Sequence, residues 1–464
     1  MRPRIAPSGP FSTDSTPNLA GLAILGARQF GAGSIVWVQS LRRPFVKDAG
    51  GGVAVPGQVV TCTDGSGVWR SLTPFSEQAG YWTSRTDWHI DASSGSTEGD
   101  GSAAQPLDSW RELLARLSGQ QLAPNTTINL HTSISEQLQL GSLVPDDTTS
   151  LTVTAEPAAT TVATGTVTSY TAETVVAPGE APVLRSTDVA DWTPYTNMRV
   201  RFLDGNAAGA LTWVAKAAPG AYSVEYARVP RPMRPGYPFP TDSTPSVGST
   251  FVIESLATVD SFALSGATAR YATIVRGLQG PQPTGGDANQ AIGGGRAIFQ
   301  GCAIGDAAVT SEYLRFQACR LGTPGGSSVL FRSGFYDFNG CLFFRAYTDR
   351  WAAMRVNDCV FQNGVIVWTS FWTLAHTGIF DSPISGLTVS AAGASLQLGS
   401  AGLYGYGNAQ YGIEVESPGC MVGYSSTKPV ITGTLANFRL AGVNHAWVDA
   451  PLTDATWLSA IQNH

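Results

Sequence analysis

Four short segments in the C-terminal third of the chain repeat one pattern of apolar and polar positions. Each reads apolar, Gln or Asn, small or Asp, Cys, any residue and apolar, and the segments are 299–304, 316–321, 338–343 and 356–361. Before each segment apolar residues alternate with others, which predicts a strand whose alternate side chains point inwards. The cysteines recur 17, 22 and 18 residues apart. A repeat of about 20 residues is typical of β-solenoid coils, although four antiparallel strands with chance spacing would also produce it.

The repeat assigns two ladders to successive coils of this solenoid. Free cysteine behaves as a small buried apolar residue, so the cysteines are expected to stack inside the coils. Gln or Asn interrupts the alternation before each cysteine, which suits a bend, and stacked amides would hydrogen-bond from coil to coil. The predicted core ladder is Cys302, Cys319, Cys341 and Cys359. The predicted turn ladder is Gln300, Gln317, Asn339 and Asn357.

A single amphipathic helix is predicted near 107–118. Ser109 and Glu112 have the spacing of a capping box, and Trp110 and Leu117 fall on one helical face. Such a helix, placed just before a long β region, is expected to cover the open end of the first coil. The predicted fold class is therefore all-β, a right-handed parallel β-helix with a capping helix and a small N-terminal β module.

The chain divides into four parts by composition and strand pattern. A Pro/Ser/Thr-rich start predicts an extended arm, and four strand-like runs after it predict a small β module. Thr/Val/Ala-rich strands within about 150–260, broken by a Pro-rich stretch, predict a β insertion among the early coils. The predicted parts are an arm at 1–18, a β module at 19–80, a β-helix at 81–400 and its C-terminal end at 401–464. Segment 10–17 recurs almost unchanged at 238–245, which indicates two similar exposed loops.

Composition and charge exclude several functions. Charged residues make up 13% of the 464-residue chain, the net charge is −6, and there is no basic run, so nucleic acid is not an expected partner. The six cysteines form no Cys-x-x-Cys pair, and neither a metal site nor a cofactor is expected. Residues 1–7 lack the apolar core of a signal peptide, and the most apolar stretch, 365–380, carries Thr, Ser and His. We therefore expect no membrane insertion.

The order of these parts resembles tail-spike and tail-fibre proteins of tailed bacteriophages, whose β-helix is pectate-lyase-like. The resemblance lies in the short β module, the entry segment from Trp88 to Leu117, and the closing segments 412–415, 429–433 and 446–449. It implies a homotrimer on the virion surface, exposed to the extracellular medium. It also implies that the N-terminal module docks to tail or baseplate proteins and that the solenoid binds bacterial cell-surface polysaccharide. Some proteins of this class also cleave the polysaccharide.

The carboxylates of the coils do not assign a catalytic residue. Cleavage of a glycan on a β-helix needs two carboxylates flanking the bond, or a base with a cation to hold a uronate. Asp337 lies between Arg315 and Arg355 in one outward column, which suits a structural ion pair better than a general acid. The other residues weighed, as turn, loop or surface groups, are Asp349, Asp358, Asp381 and His376. We therefore favour an adhesive virion structural protein, with a polysaccharide depolymerase on the same scaffold as the alternative.

Aromatic side chains after two successive coils are the candidate glycan-binding residues. Aromatic rings stack on the apolar faces of sugars, and a guanidinium pairs with hydroxyls or carboxylates. The candidates are Tyr347, Arg350, Trp351, Trp368 and Trp372. The alternative is that these rings fill the solenoid interior or a trimer interface. An enzyme should additionally show two carboxylates within about 5 to 10 Å of each other in an open groove.

Overall fold

The computed structural model of the protein describes, with short gaps, residues 85–140, 151–171, 183–215, 226–234, 244–263, 273–280, 291–424 and 430–449, together with 15–16, 35–38, 43–48, 59–63, 67–71, 143 and 461–463. The chain forms two compact units. One contains residues 1–153 and 265–273, and the other contains residues 154–264 and 274–464.

The first unit begins with a five-stranded sheet. Its strands, in spatial order, are Ser15–Thr16, Ile35–Val38, Arg43–Asp48, Val68–Ser71 and Val59–Thr61. The first two strands pair in parallel and the others are antiparallel. Val36, Phe45 and Trp69 are buried in this sheet. The alternation of apolar side chains thus gives the sheet one covered face.

A helix and a parallel strand pair follow in the same unit. Strand Asp87–Ile90 pairs in parallel with Thr127–Leu130, and strands Gln137–Gln139 and Leu151–Thr154 come later. The helix is Trp110–Leu117, and the Glu112 N–H donates to Ser109 Oγ over 3.2 Å as its N-terminal cap. It begins later than the predicted position 107 because Leu107 forms a parallel bridge with Ile90.

An antiparallel insertion opens the second unit. Its four-stranded sheet has the order Thr160–Thr166, Thr250–Ser255, Arg199–Phe202 and Leu211–Trp213. A three-stranded sheet has the order Ser169–Thr171, Val183–Arg185 and Tyr226–Arg228. Single 3₁₀ turns lie at Glu156–Ala158, Thr193–Tyr195 and Gly205–Ala207. Trp192, Phe202 and Phe251 form the centre of its core.

The rest of the second unit is a parallel β-solenoid of about nine turns. Each turn contributes one strand to a sheet of short strands. These are Ala257–Thr258, Leu278–Gln279, Ala303–Ile304, Arg320–Leu321, Leu342–Phe343, Val360–Phe361, Thr377–Ile379, Leu403–Asn408 and Val430–Gly433.

Two further sheets complete the turns. We call the first of them the bend sheet, because most of its strands lead into the turn of their coil. Its strands are Thr273–Arg276, Arg296–Gln300, Tyr313–Gln317, Phe371–Ala375, Ser395–Leu398, Met421–Tyr424 and Trp447–Asp449, together with the second halves of Val329–Asn339 and Ala346–Asn357. The first halves of those two long strands belong to the groove sheet. The other strands of that sheet are Ala291–Gly293, Ala308–Thr310, Val365–Val367, Leu387–Val389, Tyr411–Val415, Ala436–Leu440 and Ile461–Asn463. Strand Ser261–Ala263 precedes them.

The four repeated segments stack in register. Phe299 pairs with Phe316, Phe316 with Phe338, and Phe338 with Val356, each time in parallel. Ring centroids lie 5.2 Å apart for Phe299 and Phe316 and 5.0 Å apart for Phe316 and Phe338. The predicted parallel solenoid is therefore confirmed, and the antiparallel alternative is wrong.

The bend of each coil lies one residue later than predicted. The left-handed backbone conformation falls on the small residue or Asp after the Gln/Asn position. These residues are Gly301, Ala318, Gly340 and Asp358, with φ of 59°, 48°, 61° and 55°. The bend predicted at Gln or Asn therefore falls on the next residue, and the amide side chains bond between coils instead.

Candidate functional site

The amide and cysteine ladders lie on opposite sides of the bend. Gln300 Nε2 donates to Gln317 Oε1 over 2.8 Å, and Asn357 Nδ2 donates to Asn339 Oδ1 over 3.2 Å. The four cysteines are buried and free. Burial raises the pKa of the thiols of Cys302, Cys319 and Cys341. These groups therefore stay neutral and act as interior packing rather than as nucleophiles.

The acidic candidates of the coils lie in structural contacts or in turns. Arg315 Nε donates to Asp337 Oδ2 over 3.0 Å, and Asn339 Nδ2 donates to Asp337 Oδ1 over 3.1 Å. Asp358 occupies a left-handed bend and lies 3.4 Å from Arg231 Nη1. Asp381 has φ of 54°. Asp337 and Asp358 are also buried, so neither presents a free carboxylate to a ligand.

The structure separates the aromatic candidates. Tyr347 and Trp368 meet edge to face with centroids 5.7 Å apart, and Trp368 is 44% exposed. Trp372 is a correction, because it is fully buried and its Nε1 donates to Thr348 Oγ1 over 2.9 Å, so it fills the interior. Arg350 and Trp351 belong to strand Ala346–Asn357. Their side chains, the Asp349 side chain and His376 lie outside the described residues.

An open groove of about 380 Å³ runs over the outer face of the groove sheet. Two columns of outward-facing side chains line it. The residues of the first column pair with one another from strand to strand, and those of the second column lie two positions further along the chain. The first column is Tyr347, Ile366, Thr388, Glu414 and Arg439. The second column is Trp368, Ser390 and Glu416.

The groove places two carboxylates side by side in different surroundings. Glu414 is buried, its Oε1 accepts a 3.0 Å hydrogen bond from Arg439 Nη1, and its Oε2 accepts one from Ser385 Oγ. Glu416 is exposed, and its Oε2 accepts a 2.6 Å hydrogen bond from Ser390 Oγ. Alternate residues of a strand lie about 7 Å apart on the same face. One fixed and one accessible carboxylate therefore share the groove.

Sequence reasoning missed Glu414 and Glu416 and grouped 412–415 with the closing segments of the chain. Period-two alternation through residues 411–416 was the available signal, because it places both acidic side chains on the outward face. Thr388 and Ser390 repeat that polar alternation on the preceding strand.

A histidine pair in the first unit also went unrecognised. His89 Nδ1 lies 2.8 Å from His131 Nε2, and His89 Nε2 lies 2.9 Å from Asp87 Oδ2. Strands Asp87–Ile90 and Thr127–Leu130 bring these distant positions together by parallel pairing. Within the described residues, no group of three or more His, Cys, Asp and Glu side chains is arranged to hold a metal ion. In the same part of the chain, no helix has the length and apolar character needed to cross a membrane.

No protein-family model matches the chain, and no curated protein matches it. Among solved structures, it is similar to a glycoside hydrolase at 8% identity and a TM-score of 0.33, over 82% of this chain and 99% of that one. A tailspike of Acinetobacter baumannii bacteriophage Fri1, a capsular polysaccharide depolymerase, matches at 9% identity and a TM-score of 0.27, over 91% and 76%. The tailspike of A. baumannii bacteriophage AP22, in complex with capsular saccharide, matches at 9% and 0.17, over 73% and 68%. At these scores the similarities carry no functional argument.

Proposed function

We propose that the protein is a tail-spike-type virion protein that binds bacterial cell-surface polysaccharide in the groove. The observation that carries this proposal is the exposed Trp368 ring beside Tyr347 in an open groove that polar and charged side chains also line. A sugar ring presents an apolar face to an aromatic side chain and its hydroxyls to polar groups. Arg439, Ser390 and Glu416 supply donors and acceptors for those hydroxyls.

The size of the groove supports an oligosaccharide ligand. Its volume of about 380 Å³ falls in the range of about 300 to 1,000 Å³ that ligand sites occupy. The two side-chain columns cross successive coils, so the groove offers repeated polar positions at the spacing of the coils. A repeating polymer suits such a surface because neighbouring sugar units would meet neighbouring coils.

The proposal includes a homotrimer that attaches to tail or baseplate proteins through residues 1–80. Phe335 and Phe371, 40% and 50% exposed, lie in one outward column of the bend sheet, away from the groove sheet. Aromatic side chains of this kind are enriched in subunit interfaces, which supports a face covered by another copy. Light scattering on the purified protein should give three times the chain mass, and a monomer at all concentrations would contradict this part.

Blocking the groove tests the binding proposal. The full chain is incubated with immobilised capsular and surface polysaccharides from a panel of bacteria. The variant Ser390→Trp places a large ring in the groove, whereas Thr187→Trp places the same ring on an exposed position of the antiparallel insertion. We expect wild type and Thr187→Trp to bind one polysaccharide and Ser390→Trp to lose at least about tenfold in affinity. Equal binding by all three would contradict the groove as the site.

Hydrolysis of the bound polysaccharide is a second candidate function, favoured by the Glu414 and Glu416 pair. Two carboxylates about 5 to 10 Å apart are what glycoside hydrolysis requires. Glu414 has both oxygens occupied as hydrogen-bond acceptors, which suits a base or nucleophile. Glu416 is exposed, which suits a general acid and base that gives a proton to the leaving sugar and takes one from the attacking water.

Release of reducing ends separates the two functions. If the chain is a hydrolase, wild type releases reducing ends from the polysaccharide it binds. Glu416→Gln still binds the polysaccharide, with at most about a tenfold loss of affinity, but cleaves it at least about 100-fold more slowly. Asp260→Asn serves as a matched loss of one exposed carboxylate that does not line the groove, and it should cleave at the wild-type rate. Binding without any cleavage by wild type would leave an adhesin.

A further inference from the structure

The first unit contains a close contact between a buried lysine and a buried cysteine. Lys47 Nζ lies 2.7 Å from Cys62 Sγ, and the two residues are 3% and 2% exposed. Lys47 belongs to strand Arg43–Asp48, and Cys62 follows strand Val59–Thr61, with strand Val68–Ser71 between them in the sheet. The contact therefore spans three neighbouring strands.

The Lys47–Cys62 distance is short for a hydrogen bond to sulfur. Thiols of the core ladder lie 3.1 to 3.5 Å from the carbonyl oxygens they face. Nitrogen is larger than oxygen, so a nitrogen–sulfur contact should be longer than these distances. At 2.7 Å the two atoms instead have a separation that suits linkage through one bridging oxygen atom.

The surroundings hold the two atoms in place. Lys47 Nζ lies 5.4 Å from the centre of the buried Trp69 ring, and Lys47 pairs with Trp69 across the strands. The Cys62 N–H donates to Gly67 O over 3.0 Å, which fixes the residue at the start of its turn. A lysine side chain loses much rotational freedom on burial. Here that loss places the amine at the thiol before any reaction occurs.

We propose that Lys47 and Cys62 form a redox-controlled covalent cross-link in which one oxygen atom joins Nζ to Sγ. The amine and the thiol react with dioxygen to give the N–O–S bridge and one water. Nitrogen and sulfur each lose one hydrogen and two electrons, the O–O bond breaks, and dioxygen takes up the four electrons. Four external thiols reverse the reaction, giving back amine, thiol and one water, and becoming two disulfides.

The bridge would close a loop of the N-terminal sheet. It joins positions 15 residues apart and so constrains the unfolded chain as a disulfide would. The oxidised protein should therefore unfold at a higher temperature than the reduced protein. The core ladder cannot give the same product, because its cysteines contact backbone carbonyls and one another.

Peptide mapping of the full chain tests the cross-link. Protein equilibrated with dioxygen and protein treated with dithiothreitol are denatured and digested with trypsin. The bridged form should resist cleavage after Lys47, giving one peptide from Arg43 to Arg70 that carries one oxygen more and two hydrogens fewer. Dithiothreitol should restore cleavage and the unmodified mass. Lys47→Arg keeps the positive charge, and Cys62→Ser keeps the shape, yet each should abolish the mass change.

Two results would overturn the proposal. One is the unmodified mass in the dioxygen-treated wild type, with complete cleavage after Lys47. The other is oxygen added to Cys62 alone, with Lys47 still cleaved, which would show ordinary thiol oxidation. The melting temperature provides a second readout. If the bridge forms, oxidation raises the melting temperature of the wild type and leaves that of both variants unchanged.

Discussion

Arg439 lies one coil beyond Glu414 in the same outward column, and its Nη1 donates to Glu414 Oε1 over 3.0 Å. The guanidinium carbon also lies 4.8 Å from the centre of the Tyr411 ring. The arginine thus joins two neighbouring coils and fixes the buried carboxylate of the groove. Its planar group suits both contacts, which a lysine would not reproduce.

Removing this arginine should destabilise the solenoid. Arg439→Ala would leave the Glu414 carboxylate buried without its cation, and the loss of one partner of a buried pair costs about 3 to 5 kcal/mol. Because the Arg439 side chain is 28% exposed, we expect about 2 kcal/mol. The free energy of unfolding measured with denaturant checks this value. Adding Glu414→Gln to Arg439→Ala should restore part of the loss, and an unchanged free energy for Arg439→Ala would contradict the account.

Two phenylalanines of one strand should differ sharply in their contribution to stability. Phe338 is fully buried and stacks on Phe316, so Phe338→Ala should cost about 3 to 5 kcal/mol. Phe335 lies three residues earlier, is 40% exposed and stacks on Tyr313, so Phe335→Ala should cost about 1 kcal/mol or less. Denaturant unfolding of both variants measures the difference. Equal losses would mean that the inward and outward positions are misassigned.

Two equivalent bend positions should differ in their sensitivity to the gain or loss of one methyl group. A Cβ on Gly340 would lie 2.6 Å from Met233 Cγ and 2.9 Å from Arg231 O, and φ there is +61°. Gly340→Ala should therefore cost at least about 2 kcal/mol. Ala318 already carries a methyl group at φ of +48°. Ala318→Gly relieves strain while adding unfolded-chain entropy, and should change the free energy of unfolding by less than about 1 kcal/mol.

Acid should weaken the first unit partly through Asp91. Hydrogen bonds from Ser94 and Ser93 hold the pKa of this carboxyl well below the usual range of an aspartate. A lowered folded-state pKa adds stability that is present above the unfolded pKa and lost as the pH falls through the folded value. Melting temperatures from about pH 5 to about pH 2 should therefore fall more steeply for wild type than for Asp91→Asn. Parallel curves would show that these hydrogen bonds do not act on Asp91.

The coils could be predicted because alternation fixes which side chains face inwards and the cysteine marks the register. The same alternation places Trp372 in the inward row with Tyr336 and Met354, so its burial was readable from the sequence. The bend moved by one residue because Gly301 and Asp358, rather than the amides, take the left-handed conformation.

The groove could not be predicted because its columns cross coils of unequal length. Steps from Tyr347 to Ile366, Thr388, Glu414 and Arg439 are 19, 22, 26 and 25 residues. The pattern of Gln or Asn two residues before a cysteine ends at Cys359, so no repeat marks the register of the later coils. The Lys47–Cys62 contact depends on a strand order in which the later strand inserts between two earlier ones, which local patterns do not reveal.

Affinity for polysaccharide in a matched pair of aromatic variants tests the central claim most directly. Trp368 in the groove and Phe371 on the bend sheet are similarly exposed, at 44% and 50%, and lie three residues apart. We expect Trp368→Ala to weaken binding of the recognised polysaccharide about tenfold, or ~1.4 kcal/mol, and Phe371→Ala to leave it unchanged. Unchanged binding by Trp368→Ala would contradict the groove as the glycan site.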